Sequence, residues 1–341
     1  MRKSLLIGFF LAHFGMLSLL FGGNRERLLV QATGEGGAFL TENYADKSLM
    51  RLIGNLRYDK TYTQTYFQLK IRLAPEVYGA DRSQYAVKTK SIFTLGGQNK
   101  SAFAWRFDLN YRFYYYDLGQ NANIRYNIFY LAAQGSWPRK TGAAWLAQLG
   151  YFYRDISGQP FMRLDSYNAQ GGIGGRFRDK LNYQLKLYVE RFLIHESIPY
   201  SERGRNSGTR VGPLLAVRYA QDYIFNAAYL LVLEQNRLNR KTVVEHSVRL
   251  VAGKYLSDRL SLFVYIKYFI RNAGNEVVED HLTYTPLDSE NWLYAKAGYD
   301  VGKNSELFLR FGYLNDTLPG RKEELSGWQI LAGFHHIFRK Q

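Results

Sequence analysis

The chain has 341 residues, 46% of them hydrophobic, with a mean hydropathy of −0.32 and a formal net charge of +16. That hydropathy excludes a bundle of transmembrane helices. The absence of cysteine excludes a disulfide framework, a thiolate zinc site and an iron–sulfur cluster. Lys and Arg number 45 against 29 acidic residues, so nucleic acid, anionic surfaces and anions in a pore are the partners to weigh. Aromatics reach 16%, led by 28 Tyr, a residue that favours strands and membrane–water interfaces.

At the N-terminus, Arg2 and Lys3 precede an apolar run from Leu5 to Gly22. A basic start followed by a hydrophobic run is the secretory pattern. The expected division is a signal peptide over 1–23, cleaved near Gly23, and one domain over 24–341. An uncleaved anchor helix is the alternative, since about 18 apolar residues just span a bilayer.

No later segment reaches about 18 consecutive apolar residues, so no further membrane helix is expected. A period of two recurs instead. Phe103, Trp105, Phe107, Leu109, Tyr111, Phe113 and Tyr115 alternate with Ala104, Arg106, Asp108, Asn110, Arg112 and Tyr114. A strand separates these two sets, whereas a helix would mix them. The same alternation predicts strands near 47–59, 61–75, 86–95, 102–117, 122–134, 142–154, 161–178, 181–194, 208–221, 223–235, 241–256, 259–271, 289–302, 304–315 and 326–339.

The connections alternate in length. Asp59-Lys60, Asp179-Lys180, Gln221-Asp222, Ser257-Asp258 and Gly302-Lys303 read as tight turns. Longer stretches lie at 195–207, 272–289 and 315–326. Short periplasmic turns with longer outer loops are the pattern of transmembrane β-barrels. Because the first clear strand ends at a short turn, another strand must precede it, drawn from Arg27 to Thr41. The expected fold is all-β: a closed antiparallel transmembrane barrel of 16 strands, or 14 if one hairpin is over-split, with modest outer loops.

The last strand places Trp328, Ile330, Ala332, Phe334, His336 and Phe338 on one face. This resembles the C-terminal signature of Gram-negative outer-membrane barrels, in which a terminal aromatic closes an alternating strand. Arg339-Lys340-Gln341 after Phe338 depart from it. The resemblance covers most of the mature chain and ties it to no single family. In size and layout the chain is similar to porins and exopolysaccharide-export barrels. The resemblance implies outer-membrane localisation, contact with outer-membrane lipid and lipopolysaccharide, and recognition of Phe334 and Phe338 by the barrel-insertion machinery. Trp105, Tyr111, Tyr151, Tyr183, Tyr268, Tyr313 and Trp328 are candidates for aromatic girdles, and Trp292 for a girdle or for packing.

With the apolar face assigned to lipid, the other face lines a lumen. Its candidate anion-binding residues are Lys70, Arg72, Arg106, Arg112, Arg125, Lys186, Arg218, Arg249, Lys267 and Arg310, joined by Lys88, Lys90, Arg176, Arg271 and Lys296. Asp108, Glu190, Glu234, Glu245, Asp300 and Glu306 oppose them. A ring of basic groups selects anions, but the same groups also serve as ion-pair packing. Bulky residues on this face, among them Tyr114, Phe129, Phe152, Tyr188, Phe263, Tyr265 and Phe308, would narrow the lumen. A nucleic-acid platform needs aromatics on the basic face, and here they mostly take the other parity.

No cofactor, metal or catalytic residue is expected. Glu279-Asp280-His281 and His195-Glu196-Ser197 read as polar loops. His335-His336 is no metal pair, since adjacent strand residues face opposite ways. Gly171-Gly172-Ile173-Gly174-Gly175 reads as a thinned or bulged wall. The expected function is a non-enzymatic, anion-selective pore or export channel for anionic solutes or an acidic polymer. The alternatives are a structural or assembly barrel filled by a periplasmic or lumenal protein partner, and a hydrolase with its site at the rim.

Overall fold

The computed structural model describes residues 25–41, 47–78, 84–99, 102–117, 123–139, 142–156, 163–177, 180–195, 206–237, 242–272, 291–317 and 324–340. The expected signal peptide and Glu279-Asp280-His281 lie outside them.

Sixteen strands run in chain order. They are β1 (Arg25–Thr41), β2 (Lys47–Thr61), β3 (Thr65–Tyr78), β4 (Gln84–Gln98), β5 (Ala104–Asp117), β6 (Asn123–Pro138), β7 (Ala143–Ile156) and β8 (Leu164–Phe177), followed by β9 (Leu181–Ile194), β10 (Ser207–Ala220), β11 (Ile224–Asn236), β12 (Val243–Tyr255), β13 (Leu260–Asn272), β14 (Asn291–Gly302), β15 (Ser305–Thr317) and β16 (Glu324–Lys340). Each pairs antiparallel with its sequence neighbours, and β16 returns to β1 to close the barrel. The closing seam runs in continuous register from Leu28↔Lys340 to Thr41↔Gly327. A closed ladder satisfies every strand edge, which a span through hydrocarbon requires. The even strand number expected from the turn lengths is what forms, and it is sixteen.

Strands of 12 to 17 residues exceed the roughly 9–11 that a tilted membrane strand needs. One face of each is a belt of exposed apolar side chains, such as Met50, Leu149, Leu187, Leu309 and Phe311. Within it, neighbouring rings pack laterally. Phe67 lies edge-on to Phe93 at 4.9 Å, and Phe311 stacks on Trp328 at 5.1 Å. Such cross-strand pairs are what hold register on a sheet face.

The chain reverses at 62–64 rather than at Asp59-Lys60, both of which lie within β2. There the Tyr62 amide donates to the Thr65 carbonyl at 2.8 Å. Local polarity at Asp59 and Lys60 imitated a turn, but Asp59 belongs to the lumen face and Lys60 pairs with Glu26 at 2.8 Å. The turns at 221–223 and 256–259 follow the sequence expectation, the turn after β14 lies at 303–304 with Gly302 still in the strand, and these turns share one rim with the start of β1 and the end of β16. The glycine run on β8 is a close approach. A Cβ on Gly172 would sit 2.0 Å from the Leu185 carbonyl oxygen of β9, whereas one on Gly171 would meet nothing.

Candidate functional site in the barrel lumen

The register assigns every strand residue to one wall. Nine of the ten expected lumen residues, namely Lys70, Arg72, Arg106, Arg112, Lys186, Arg218, Arg249, Lys267 and Arg310, share the face of the buried ion pairs and point inward. Arg125 is the correction. It pairs with Tyr115 on the lipid face and lays its guanidinium over that ring at 5.6 Å. Phe129 is outward for the same reason. Along β6 the inward set is Tyr126, Ile128, Tyr130, Ala132 and Gln134, opposite Tyr114, Arg112, Asn110, Asp108 and Arg106. Both faces of this strand are apolar, so the alternation carries no contrast from which to read parity.

The lumen also holds cations that the sequence reading passed over: Arg51, Arg57, Arg154 and Arg210, with the carboxylates Glu35, Asp59 and Glu76. Strict period-two counting from Arg72 reaches Glu76, and pairing β2 to β3 then reaches Arg51. That pairing was the missing signal.

Most of the interior charge is spent on other interior charge. Arg210 contacts Glu190 at 2.5 Å, Glu234 at 3.5 Å and Glu245, and Arg271 reaches Glu245 at 2.5 Å. All three glutamates are buried, and Ser166 and Tyr188 also donate to Glu190. A second network joins Arg51 to Glu35 at 2.8 Å and to Glu76 at 2.6 Å, Lys88 to Glu76 at 3.0 Å, and Arg310 to Glu35 at 3.3 Å. Arg106 pairs with Asp108 at 2.7 Å and Lys296 with Glu306 at 2.7 Å. Arg106 is therefore a largely compensated charge.

One arc differs. Arg72 on β3 stands opposite Lys90 on β4, and Lys90 stands opposite Arg112 on β5. The flanking positions of that row are Asn55 and Ile128. Three adjacent cations thus share one lateral row that contains no carboxylate, an arrangement that costs energy when like charges oppose directly. Neither Arg72 nor Arg112 has an ion pair among the described residues. On β12 and β13, Arg249 stands opposite Lys267. In a ring of sixteen, β12 lies eight strands from β4, so the two cationic arcs occupy opposite walls. All five residues sit near the midpoints of their strands.

The lumen is also narrowed by its own side chains. Toward the rim of the longer connections, Tyr126, Ile128, Phe152, Ile156, Leu164, Phe192 and Ile194 form a buried apolar cluster on the inner side of β6–β9. On β13–β15, Tyr265 stacks on Tyr294 at 4.6 Å, Trp292 lies against Tyr294, and Arg310 covers the Tyr294 ring at 5.0 Å. Trp292 faces the lumen and belongs to no girdle. A cavity of about 390 Å³ is lined from β5 through β13 by residues that include Arg112, Phe152, Asn168, Gln170, Ser247, Arg249 and Phe269. Pockets of roughly 300–1,000 Å³ are the size that takes small molecules.

The seven girdle candidates and both C-terminal phenylalanines project outward. Trp105 and Tyr183 stand near the short-turn rim, and Tyr313 packs on Trp328 at 5.3 Å toward the other. Tyr111, Tyr151 and Tyr268 sit closer to mid-strand. His195 is outward too, bound to Asp165, which also accepts from the Tyr151 hydroxyl at 2.5 Å. Glu196 and Ser197 lie outside the described residues. His335 faces inward with Thr33 at 2.7 Å and His336 outward with Ser305 at 2.7 Å, so the two do not converge.

No family model matches the chain, and no curated protein matches it. Solved structures do. CdiB from Acinetobacter baumannii aligns with a TM-score of 0.52 at 7% identity, covering 92% of this chain and 60% of that one. OmpT of Vibrio cholerae, described as an outer membrane protein, aligns at 0.47 and 9% identity over 94% of this chain and all of its own. OccAB3 of A. baumannii aligns at 0.43 and 10% identity over 92% and 99%. At such identities the likeness to CdiB bears on fold alone. With its closed ladder, apolar outer belt and charged interior, the chain is a sixteen-stranded outer-membrane β-barrel.

Proposed function

We propose that this barrel is a channel with an electropositive lumen that passes anionic solutes. The observation that carries the reading is the in-register row Arg72–Lys90–Arg112, set across the lumen from Arg249–Lys267. Cations held on a low-dielectric wall around a narrowed lumen focus the field and concentrate anions. No step of bond chemistry is assigned to any residue. Outer-membrane lipid, lipopolysaccharide included, is the proposed solvent of the apolar belt, and Phe334 and Phe338 are the proposed signal to the insertion machinery.

Single-channel recording across a KCl gradient tests the reading. The native protein should give a reversal potential on the anion side. Arg72→Ser and Arg112→Ser should each move it toward the cation side, while Arg106→Ser, whose charge Asp108 already compensates, should move it less. Cation selectivity in the native channel would sink the reading. The buried cluster on β6–β9 favours a second one, in which the lumen is sealed and the barrel serves assembly with a protein partner. Folded barrel without conductance is its signature.

A further inference from the structure

The mid-lumen cavity contains two kinds of polar side chain. Glu190, Arg210 and Glu245 line it and are joined by ion pairs through Arg210. Asn110 and Arg112 on β5, Asn168 and Gln170 on β8, and Ser247 on β12 also line it, and none of these makes a hydrogen bond or ion pair with the described residues. The Oδ1 atoms of Asn110 and Asn168 are buried as well as unpartnered. Buried polar atoms that lack partners are uncommon, because each forfeits its desolvation cost. The side chains of Asn110, Arg112, Asn168, Gln170 and Ser247 reach the cavity wall from three separate strands.

The remaining wall supplies flat apolar surface. Phe152 and Phe269 line it, as does Tyr130, whose hydroxyl is already taken by Gln148 at 2.7 Å. Amide and hydroxyl groups that both donate and accept, ring faces, and a guanidinium together match one ligand chemistry. Hydroxyls satisfy the amides, the C–H face of a sugar ring lies on the aromatics, and a carboxylate meets Arg112. A simple inorganic anion or a hydrocarbon acid would accept from the amide N–H groups but offer no donor to their carbonyl oxygens, which a hydroxyl does.

We infer that the cavity is a binding site for a sugar acid, a pyranose bearing a carboxylate, placed on the path between the two cationic arcs. This rests on the proposal that the lumen admits anions and specifies which anion it retains.

The experiment uses the full chain folded in detergent and titrates it calorimetrically with D-glucuronate, D-glucose and hexanoate. Glucuronate should bind at least about tenfold more tightly than either of the others, the equivalent of one or two lost hydrogen bonds. Asn168→Leu should weaken glucuronate about tenfold. Gln170→Glu, nearly isosteric and so safe for folding, should abolish it by repelling the carboxylate. Equal binding of hexanoate and glucuronate, or full glucuronate affinity in folded Gln170→Glu, overturns the inference. Conductance fails separately: glucuronate binding to a barrel that carries no current leaves this site standing and removes the channel reading. Anion-selective current without glucuronate binding does the reverse.

Discussion

At the scale of single residues, burial decides which charges matter to stability and which to the lumen field. Arg210 is buried among Glu190, Glu234 and Glu245. Removing it as Arg210→Met leaves three carboxylates facing one another without their common counter-ion. The expected cost is about 3–5 kcal/mol, read as a lower urea midpoint for the barrel refolded in lipid vesicles. Arg57, whose side chain is 44% exposed beside Asp59, should behave differently. Arg57→Ala is expected to cost under about 1 kcal/mol in the same assay. Equal losses at the two sites would mean that the Arg210 cluster is as hydrated as the lumen surface. The residue scale is also where sequence reading was weakest. Arg72, Arg112 and Lys267 were legible as inward because their strands contrast apolar with polar. Arg125 was not, because β6 is apolar on both walls.

At the scale of elements, the barrel depends on how closely neighbouring strands approach. Gly172 on β8 faces the Leu185 carbonyl of β9 with room for a hydrogen only. Gly172→Val should disrupt that pairing by about 1–3 kcal/mol, the usual range for overpacking, whereas Gly171→Ala should be tolerated. Both are checked by the fraction of protein that shows the heat-sensitive gel mobility of a folded barrel. Loss of folding in Gly171→Ala with none in Gly172→Val would reverse the assigned faces of β8. The lipid-facing belt gives a second test. Leu149 stands 66% exposed at the middle of β7, and Val301 stands 48% exposed beside the turn after β14. An arginine at the bilayer midplane costs about 2–4 kcal/mol and one near an interface about 0–1. Leu149→Arg should therefore lower vesicle-folded stability by the larger amount and Val301→Arg by the smaller.

At the scale of the whole molecule, closure rests on β16 meeting β1 along fourteen register pairs, from Leu28↔Lys340 to Thr41↔Gly327. The outward Phe334 and Phe338 take no part in the lumen. If they instruct insertion, Phe334→Ser and Phe338→Ser should reduce the amount of barrel assembled in the outer membrane several-fold. The reversal potential of the channels that do assemble should stay unchanged. A shifted reversal potential would instead place these rings in the conducting structure. Closure also creates the opposition of Arg249–Lys267 to Arg72–Lys90–Arg112, since only in a ring does β12 face β4.

By itself the sequence determined the periodic part of this protein: strands of alternating polarity, their approximate bounds, the even number and the in-phase short turns. Those features follow from covalent geometry, since a period of two and a chain reversal are local. Which basic residues take the inner face was legible for the same reason wherever the two faces of a strand contrast, and not for Arg125. Tertiary structure alone decided which charges neutralise one another, as with Arg106 and Asp108, and which cations stand side by side, as along the Arg72–Lys90–Arg112 row. It also decided that inward rings and aliphatics narrow the lumen around a cavity. Pairing partners come from strands distant in sequence, and their meeting is set by register and closure, which no local pattern contains.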